Sequence, residues 1–222
     1  GKAGSSRAEN AKSNLEIITS VFSNVQFKPS ALIITTSNPA EASAKWIKDC
    51  IGKKCSVLST GTLLDTYRLQ YILSKSFNVS TAEIETFVVG EHGSQMFPLW
   101  TETKIKGVPI KNRCSAEELD RFHEELIQSA TTIRKTQLAT KYGVAQTAIT
   151  LANQFFDRQT KLIPIAFHAK AFLGDDLVVN WPCFVGKQHV IPSNIRMNKE
   201  EQNRWQKALS SIRDTSKLSL NI

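Results

Sequence analysis

Cysteine, glycine and proline are all scarce in this chain of 222 residues, at 4, 10 and 7. So few cysteines in so long a chain exclude a disulfide scaffold. The lack of any CxxC pair with matching histidine spacing argues against structural zinc. The thiols therefore read as reduced cysteines of a cytoplasmic protein. The low glycine and proline content excludes a collagen-like or linker-dominated chain. No apolar run approaches the roughly 20 residues of a membrane helix, and the stretch from Gly1 to Arg7 lacks the apolar region of a secretory signal. A contiguous basic face is lacking too. The net charge is +8, yet Lys53-Lys54 and Lys104-Ile105-Lys106 are the densest basic stretches and no aromatic residues alternate with them. That disfavours a nucleic-acid partner and leaves the excess available to a small anion.

The apolar fraction, 41%, is that of a globular protein with one large domain or two small ones. Ala11, Leu15, Ile18, Phe22 and Val25 recur at helical spacing and predict an apolar helix face. The uninterrupted runs Ala31–Ile34 and Ser56–Thr60 suit parallel strands buried on both faces, with a helix through Trp46 and Ile47 between them. Leu63–Phe77 reads as a helix and Ile84–Gly90 as a third strand. After Trp100 the style changes: Val108-Pro109-Ile110 suits a hairpin, and Ser115-Ala116-Glu117-Glu118 is a capping box opening a helix to about Ala139. Tyr142-Gly143 reads as an interruption before a helix from Val144 to Phe156. Strands are expected over Leu162–Phe167 and Leu177–Val185, and Asn198 with Glu201 announces a last helix bearing Trp205, Ala208, Leu209 and Ile212. The fold class expected is α/β followed by α+β.

Three polar clusters stand at expected strand ends, where α/β folds place ligands. They are Ser37-Asn38-Pro39, Gly61-Thr62-Leu63-Leu64-Asp65-Thr66-Tyr67-Arg68 and Gly90-Glu91-His92-Gly93. Taken alone, Asp65 and Arg68 at i and i+3 suit a surface ion pair at a helix start, and a lone His92 suits a packed or solvated histidine. Their order and spacing change that reading. Leu64-Asp65-Thr66-Tyr67-Arg68 and Gly90-Glu91-His92-Gly93, with Asp65 and His92 27 residues apart, resemble the signatures of the L-lactate and L-malate dehydrogenase family, which includes the L-2-hydroxyisocaproate dehydrogenases. Ala139-Thr140 ahead of Tyr142-Gly143-Val144-Ala145 and the run Trp181–Gly186 fit the same resemblance.

The resemblance implies roles that these residue types can fill. His92 would exchange the proton at the substrate's C2 oxygen, since imidazole changes charge near neutral pH. Asp65 would hold its tautomer and stabilise the imidazolium. Arg68 would grip the substrate carboxylate with two parallel hydrogen bonds. Asn38 would donate near the reacting oxygen and the nicotinamide, Thr60 would line the cofactor side, and Thr140 the substrate pocket. Arg7 matches the arginine of a loop that closes over the site and polarises the carbonyl. NAD is the implied cofactor, a small 2-oxoacid or 2-hydroxyacid the implied substrate, and a homo-oligomer (dimer or tetramer) the implied assembly. No metal site, membrane or nucleic acid is implied.

Several features depart from the family pattern. Ser94 stands where aspartate is usual, and Gly186-Lys187-Gln188-His189 lacks the customary second glycine. Six residues before Arg7, Gly1 occupies the position where malate enzymes carry arginine, so a second substrate carboxylate loses its partner and malate is disfavoured. No G-x-G-x-x-G occurs, and the family's opening segment of about a hundred residues with that loop has no counterpart. The chain is accordingly expected to be the C-terminal two-thirds of a dehydrogenase. Residues 1–61 would be the end of a dinucleotide-binding domain, a remnant of its Rossmann-type parallel sheet, and residues 62–222 the substrate domain. The expected activity is NAD-dependent L-2-hydroxyacid oxidoreduction in the parent protein, with this chain alone inactive. The alternative is a non-catalytic remnant serving as an interaction or oligomerisation module.

Overall fold

The short apolar runs become strands of one mixed sheet, and the periodic segments become helices laid against it. A computed structural model describes residues 7–52, 55–137 and 141–217, and gives the backbone alone for 7–10, 130–131 and 134–137. In chain order the elements are α1 (Arg7–Ser23), β1 (Leu32–Thr35), α2 (Ala40–Ile51), β2 (Ser56–Ser59) and α3 (Leu63–Phe77), then β3 (Ile84–Glu85), β4 (Val88–Gly90) and β5 (Met96–Pro98). Next come β6 (Lys104–Ile105), β7 (Val108–Pro109), α4 (Ala116–Gln137) and α5 (Lys141–Phe156). The chain closes with β8 (Lys161–His168), α6 (Lys170–Leu173), β9 (Val178–Gly186), β10 (His189–Pro192) and α7 (Lys199–Ser216).

The main sheet has seven strands in the order β1-β2-β8-β9-β4-β5, with β10 paired to the far half of β9. Among the described residues only β1 and β2 run parallel, Leu32 opposite Ser56. All other pairings are antiparallel, including the long β8–β9 ladder from Lys161↔Val185 to His168↔Val178. β3, β6 and β7 form a second small sheet. Leu32, Ile33 and Ile34 of the outer strand β1 are half-buried rather than fully buried, unlike Val57 and Leu58 on β2.

Three apolar clusters hold these elements. Ala11, Leu15 and Ile18 of α1 pack with Trp46 and Ile47 of α2. Trp181 on β9 meets Trp205 on α7 at a ring separation of 5.1 Å, beside Leu209 and Phe155. Leu69 and Leu73 of α3 meet Phe122 and Leu126 of α4 and Ile105 of the small sheet. Both expected capping boxes form: Ser115 Oγ accepts from Glu118 N at 3.3 Å, and Asn198 Oδ1 from Glu201 N at 2.9 Å.

Three expectations are corrected. Val25 lies beyond α1 and is 45% exposed, so the apolar face ends with Phe22, which stacks on Phe27. The expected strand Ile84–Gly90 breaks into β3 and β4, which join different sheets. At the break, side-chain hydroxyls replace a strand partner: Thr86 bonds Thr103, and both backbone groups of Val88 bond the hydroxyls of Thr62 and Thr66. Tyr142 and Gly143 lie inside α5 rather than interrupting a helix. Glycine is tolerated there because α5 presses on the start of α3, where an added Cβ at Gly143 would sit 2.8 Å from Leu64 Cδ1. The expected helix end near Ala139 falls outside the described residues.

Candidate active site

Helix α3 begins where the β2 strand ends, and its first turn carries Asp65 and, one turn on, Arg68. That spacing puts both on one face, with the carboxylate near the positive end of the helix. Thr62 and Thr66 tie this turn to β4: Thr62 Oγ1 donates to Val88 O at 2.6 Å, and Thr66 Oγ1 accepts from Val88 N at 2.9 Å. The turn after β4 then brings His92 back over α3. Gly90 makes that turn possible, because its φ is +92° and a Cβ would lie 2.4 Å from Gln95 O.

The result is a compact charged cluster. His92 Nδ1 lies 2.7 Å from Asp65 Oδ2, and Arg68 Nη1 donates to Asp65 Oδ1 at 2.9 Å. The Asp65 side chain is 1% exposed, that of Arg68 11% and that of His92 26%. Burial pushes the Asp65 carboxyl up, but the charge and hydrogen bond of His92 and the charge of Arg68 outweigh it and hold Asp65 below its ordinary value. Burial opposes the imidazolium of His92, yet Asp65 outweighs it and raises His92 above its ordinary value. With Asp65 ionised, Nδ1–H is the donor, which leaves Nε2 as the atom that takes up or gives away a proton. Arg68 Nε is buried with no hydrogen-bond partner among the described residues. Nη1 is tied to Asp65, and Nε lies on the Nε–Nη2 edge, whose two parallel donors match a carboxylate.

The sequence model of the lactate/malate dehydrogenase α/β C-terminal domain matches residues 62–221. The chain belongs to the lactate/malate dehydrogenase family. Residues 62–221 carry the α/β C-terminal domain of that dehydrogenase fold. An L-lactate dehydrogenase of Halalkalibacterium halodurans is 24% identical over 96% of this chain and 70% of its own length. One from Borrelia turicatae is 31% identical over 82% of this chain and 60% of its own length. Among solved structures, a lactate dehydrogenase from a Medee basin deep-sea metagenome library superposes with a TM-score of 0.87 at 23% identity, covering 97% of this chain and 72% of its own. The malate dehydrogenase of Picrophilus torridus in its apo form gives 0.85 at 25% identity, over 97% and 70%.

Among the dehydrogenase positions expected from the sequence, the structure brings Asp65, His92 and Arg68 into contact. Asn38 is exposed at the end of β1, where its carbonyl accepts from Asn14 Nδ2 at 2.5 Å. Thr60 is buried in the turn after β2, its carbonyl accepting from Leu63 N at 2.9 Å. Thr140 lies outside the described residues, as do Gly1 and the side chain of Arg7, whose backbone opens α1. Ser94 is exposed in the histidine turn.

Two residues at the site escaped the sequence reading. Glu41, 2% exposed at the start of α2, accepts from the backbone N–H of His92 at 2.6 Å through Oε1. Asn180 of β9, fully buried, donates from Nδ2 to the same Oε1 and to Gly90 O, and accepts from Thr62 N through Oδ1. A signal for Asn180 was present: a lone amide in the apolar run Leu177–Val185 has to find partners when buried. Glu41 offered none, because an acidic residue in a first helical turn is ordinary.

Proposed function

We propose that this chain carries the proton-transfer and carboxylate-binding residues of an NAD-dependent L-2-hydroxyacid dehydrogenase acting on pyruvate or a bulkier 2-oxoacid. The observation that carries this reading is the buried His92–Asp65–Arg68 cluster with the unpartnered Nε donor of Arg68. A buried guanidinium N–H without an acceptor is costly unless an anion completes it, and a substrate carboxylate has the right shape. Binding there sets the 2-oxo group in reach of His92, whose raised proton affinity keeps the imidazolium available near neutral pH. His92 Nε2 then gives its proton to the C2 oxygen, and Asp65 stabilises the charge that His92 carries before the transfer.

The residues present fit the nicotinamide end of a dinucleotide. Asn38 and Thr60 follow the two parallel strands, the place where α/β sheets take such ligands. The described residues include no glycine-rich loop for the pyrophosphate. A bound NADH would supply the hydride, while this chain's residues would supply the proton and the carboxylate grip. We assign Arg7 to polarising the carbonyl and Thr140 to lining the substrate pocket, following the family pattern. Residues 1–61 then complete a dinucleotide-binding domain and 62–222 form the substrate domain, in a cytoplasmic homo-oligomer. The absence of arginine at Gly1 favours a monocarboxylate over malate.

Calorimetric titration with NADH and then oxamate, alone and with a fragment supplying a glycine-rich dinucleotide loop, tests the reading. Oxamate binding in the presence of NADH is expected, weakened about tenfold to a hundredfold by Arg68→Lys. Turnover of pyruvate or a branched 2-oxoacid is expected to fall about 100-fold or more in His92→Gln. No binding in either mixture, from a chain whose unfolding is cooperative, would leave an interaction module in its place.

A further inference from the structure

The cluster is held from a direction its catalytic reading does not use. Glu41 is nearly inaccessible, and its Oε1 takes two donors, the backbone N–H of His92 and the Nδ2 of Asn180. Asn180 in turn spends every polar atom on the site: Nδ2 also reaches Gly90 O at 2.8 Å, and Oδ1 takes Thr62 N at 3.2 Å. Thr62 precedes the helix turn with Asp65 and Arg68, and Gly90 precedes the turn with His92. One amide and one carboxyl group therefore connect the segments that hold the two halves of the His92–Asp65 contact. Room for this amide is made by Gly61, where a Cβ would lie 1.7 Å from Asn180 Oδ1.

We propose that Glu41, braced by Asn180, is the positioning residue of His92: its carboxyl oxygen fixes the histidine's backbone N–H and so aims the imidazole at Asp65. As a role in catalysis this rests on the dehydrogenase reading, whereas the aim of the imidazole can be measured without it. The work is done by an acceptor at a fixed place rather than by a full charge. Burial raises the Glu41 carboxyl above its ordinary value, with Glu91 adding to the rise, and the His92 N–H only partly offsets it. A glutamine carbonyl can occupy the same position and accept both donors. The titratable groups that face the imidazole are Asp65, Glu41 and Arg68, so its titration reports their arrangement.

The test is imidazole NMR on the labelled chain, in which His92 is one of 4 histidines and is identified by its loss in His92→Gln. The parent is expected to show a slowly exchanging Nδ1 proton and a pKa above the ordinary value. In Glu41→Ala the Nδ1 proton disappears and the pKa falls by about one unit. Glu41→Gln restores the proton and most of the shift. If Glu41→Ala does not fold, Asn180→Ser, which removes the brace and keeps a small polar group on the strand, shows the same change to a smaller degree. Unchanged His92 titration in folded Glu41→Ala or Asn180→Ser would overturn the proposal and leave these residues a purely structural part. So would a folded Glu41→Gln that behaves like the alanine variant. Failure to bind oxamate with the titrations as expected would remove the dehydrogenase reading and keep the positioning role.

Discussion

Among the described residues, an aspartate bridges a histidine and a basic side chain twice, once in the site and once at the surface. Asp65 bridges His92 at 2.7 Å and Arg68 at 2.9 Å. Asp176, just before β9, bridges His168 at 2.6 Å and Lys45 at 3.1 Å. The distances and charges are alike. The difference is burial: the Asp65 side chain is 1% exposed and that of Asp176 53%. In water, such a pair gains little beyond the entropy it costs to hold two long side chains. Out of water, each unmatched charge is expensive, so the surroundings of Asp65 must supply matched donors and hold them. Thr62, Thr66, Glu41 and Asn180 provide that support in the site. A histidine beside a carboxylate is therefore not in itself a functional sign, whereas one held by a buried and braced carboxylate is.

The sharpest way to break this contrast is to neutralise each aspartate. Asp65→Asn leaves Arg68 buried without its counter-charge, and a loss of about 3–5 kcal/mol in denaturant unfolding is expected. Asp176→Asn is expected to cost under about 1 kcal/mol. Equal losses would mean that burial does not separate the two clusters. Glycines beside each cluster give the next largest contrast. Gly61 and Gly174 both have positive φ, +45° and +73°. A methyl group at Gly61 meets Asn180 Oδ1, whereas nothing lies within 4 Å at Gly174. Alanine at Gly174 then costs about 1 kcal/mol for the left-handed backbone, and alanine at Gly61 about 2–4 kcal/mol once overpacking is added. Urea titrations of the two variants read the difference directly.

Proton linkage gives a smaller and more selective effect. The folded pKa of Asp65 is lowered, so its contribution is present above its unfolded value and is lost as pH falls through the folded one. That of His92 is raised, so its contribution is complete below its unfolded value and is lost as pH rises through the folded one. The pair contributes most between the ordinary aspartate and histidine values, at about pH 4 to 6.5. The stability difference between the parent and His92→Gln should peak in that window and shrink towards pH 9. The subtraction removes contributions from elsewhere, including His123. Burial lowers its pKa, and Arg204 lowers it further against the Met96 carbonyl. A difference that grows with rising pH would contradict the arrangement described for His92.

Much of this could be read in advance, and the unread part has a common cause. The local pattern put Asp65 and Arg68 one turn apart at the start of α3, and the family resemblance singled the pair out. The break between β3 and β4 was invisible because Ile84–Gly90 is apolar enough for one strand, and the partners that divide it are the hydroxyls of Thr62, Thr66 and Thr103. Tyr142-Gly143 looked like punctuation because glycine usually is, and only the approach of Leu64 explains its place in α5. Glu41 and His92 are 51 residues apart, and Glu41 and Asn180 139. Contacts at that separation are set by the sheet order and have no local signature. Recognition of the family supplied the roles of the cluster, but not the residues that hold it.

The smallest expected effect serves as a control on all the others. β9 carries Asn180 in the site and, at its other end, the turn to β10 in which the family's second glycine is missing. Lys187 and Gln188 both adopt positive φ, 53° and 61°, the backbone of a two-residue hairpin that favours asparagine and glycine. What holds two such residues there is hydrogen bonding from beneath: Lys187 N donates to Asp157 O at 2.6 Å, and Gln188 N to Phe155 O at 2.7 Å. Gly186 permits that approach, since a Cβ would lie 2.5 Å from Gln159 O. Replacing Lys187 by Asn and Gln188 by Gly relieves the conformational cost and keeps both N–H donors, so a gain of about 1 kcal/mol is expected in urea unfolding. The His92 titration should not move. A stabilised chain with an unchanged imidazole would show that the pKa of His92 follows its own pocket rather than overall stability. A shift in step with the gain would mean that the site variants report loosening of the whole sheet instead.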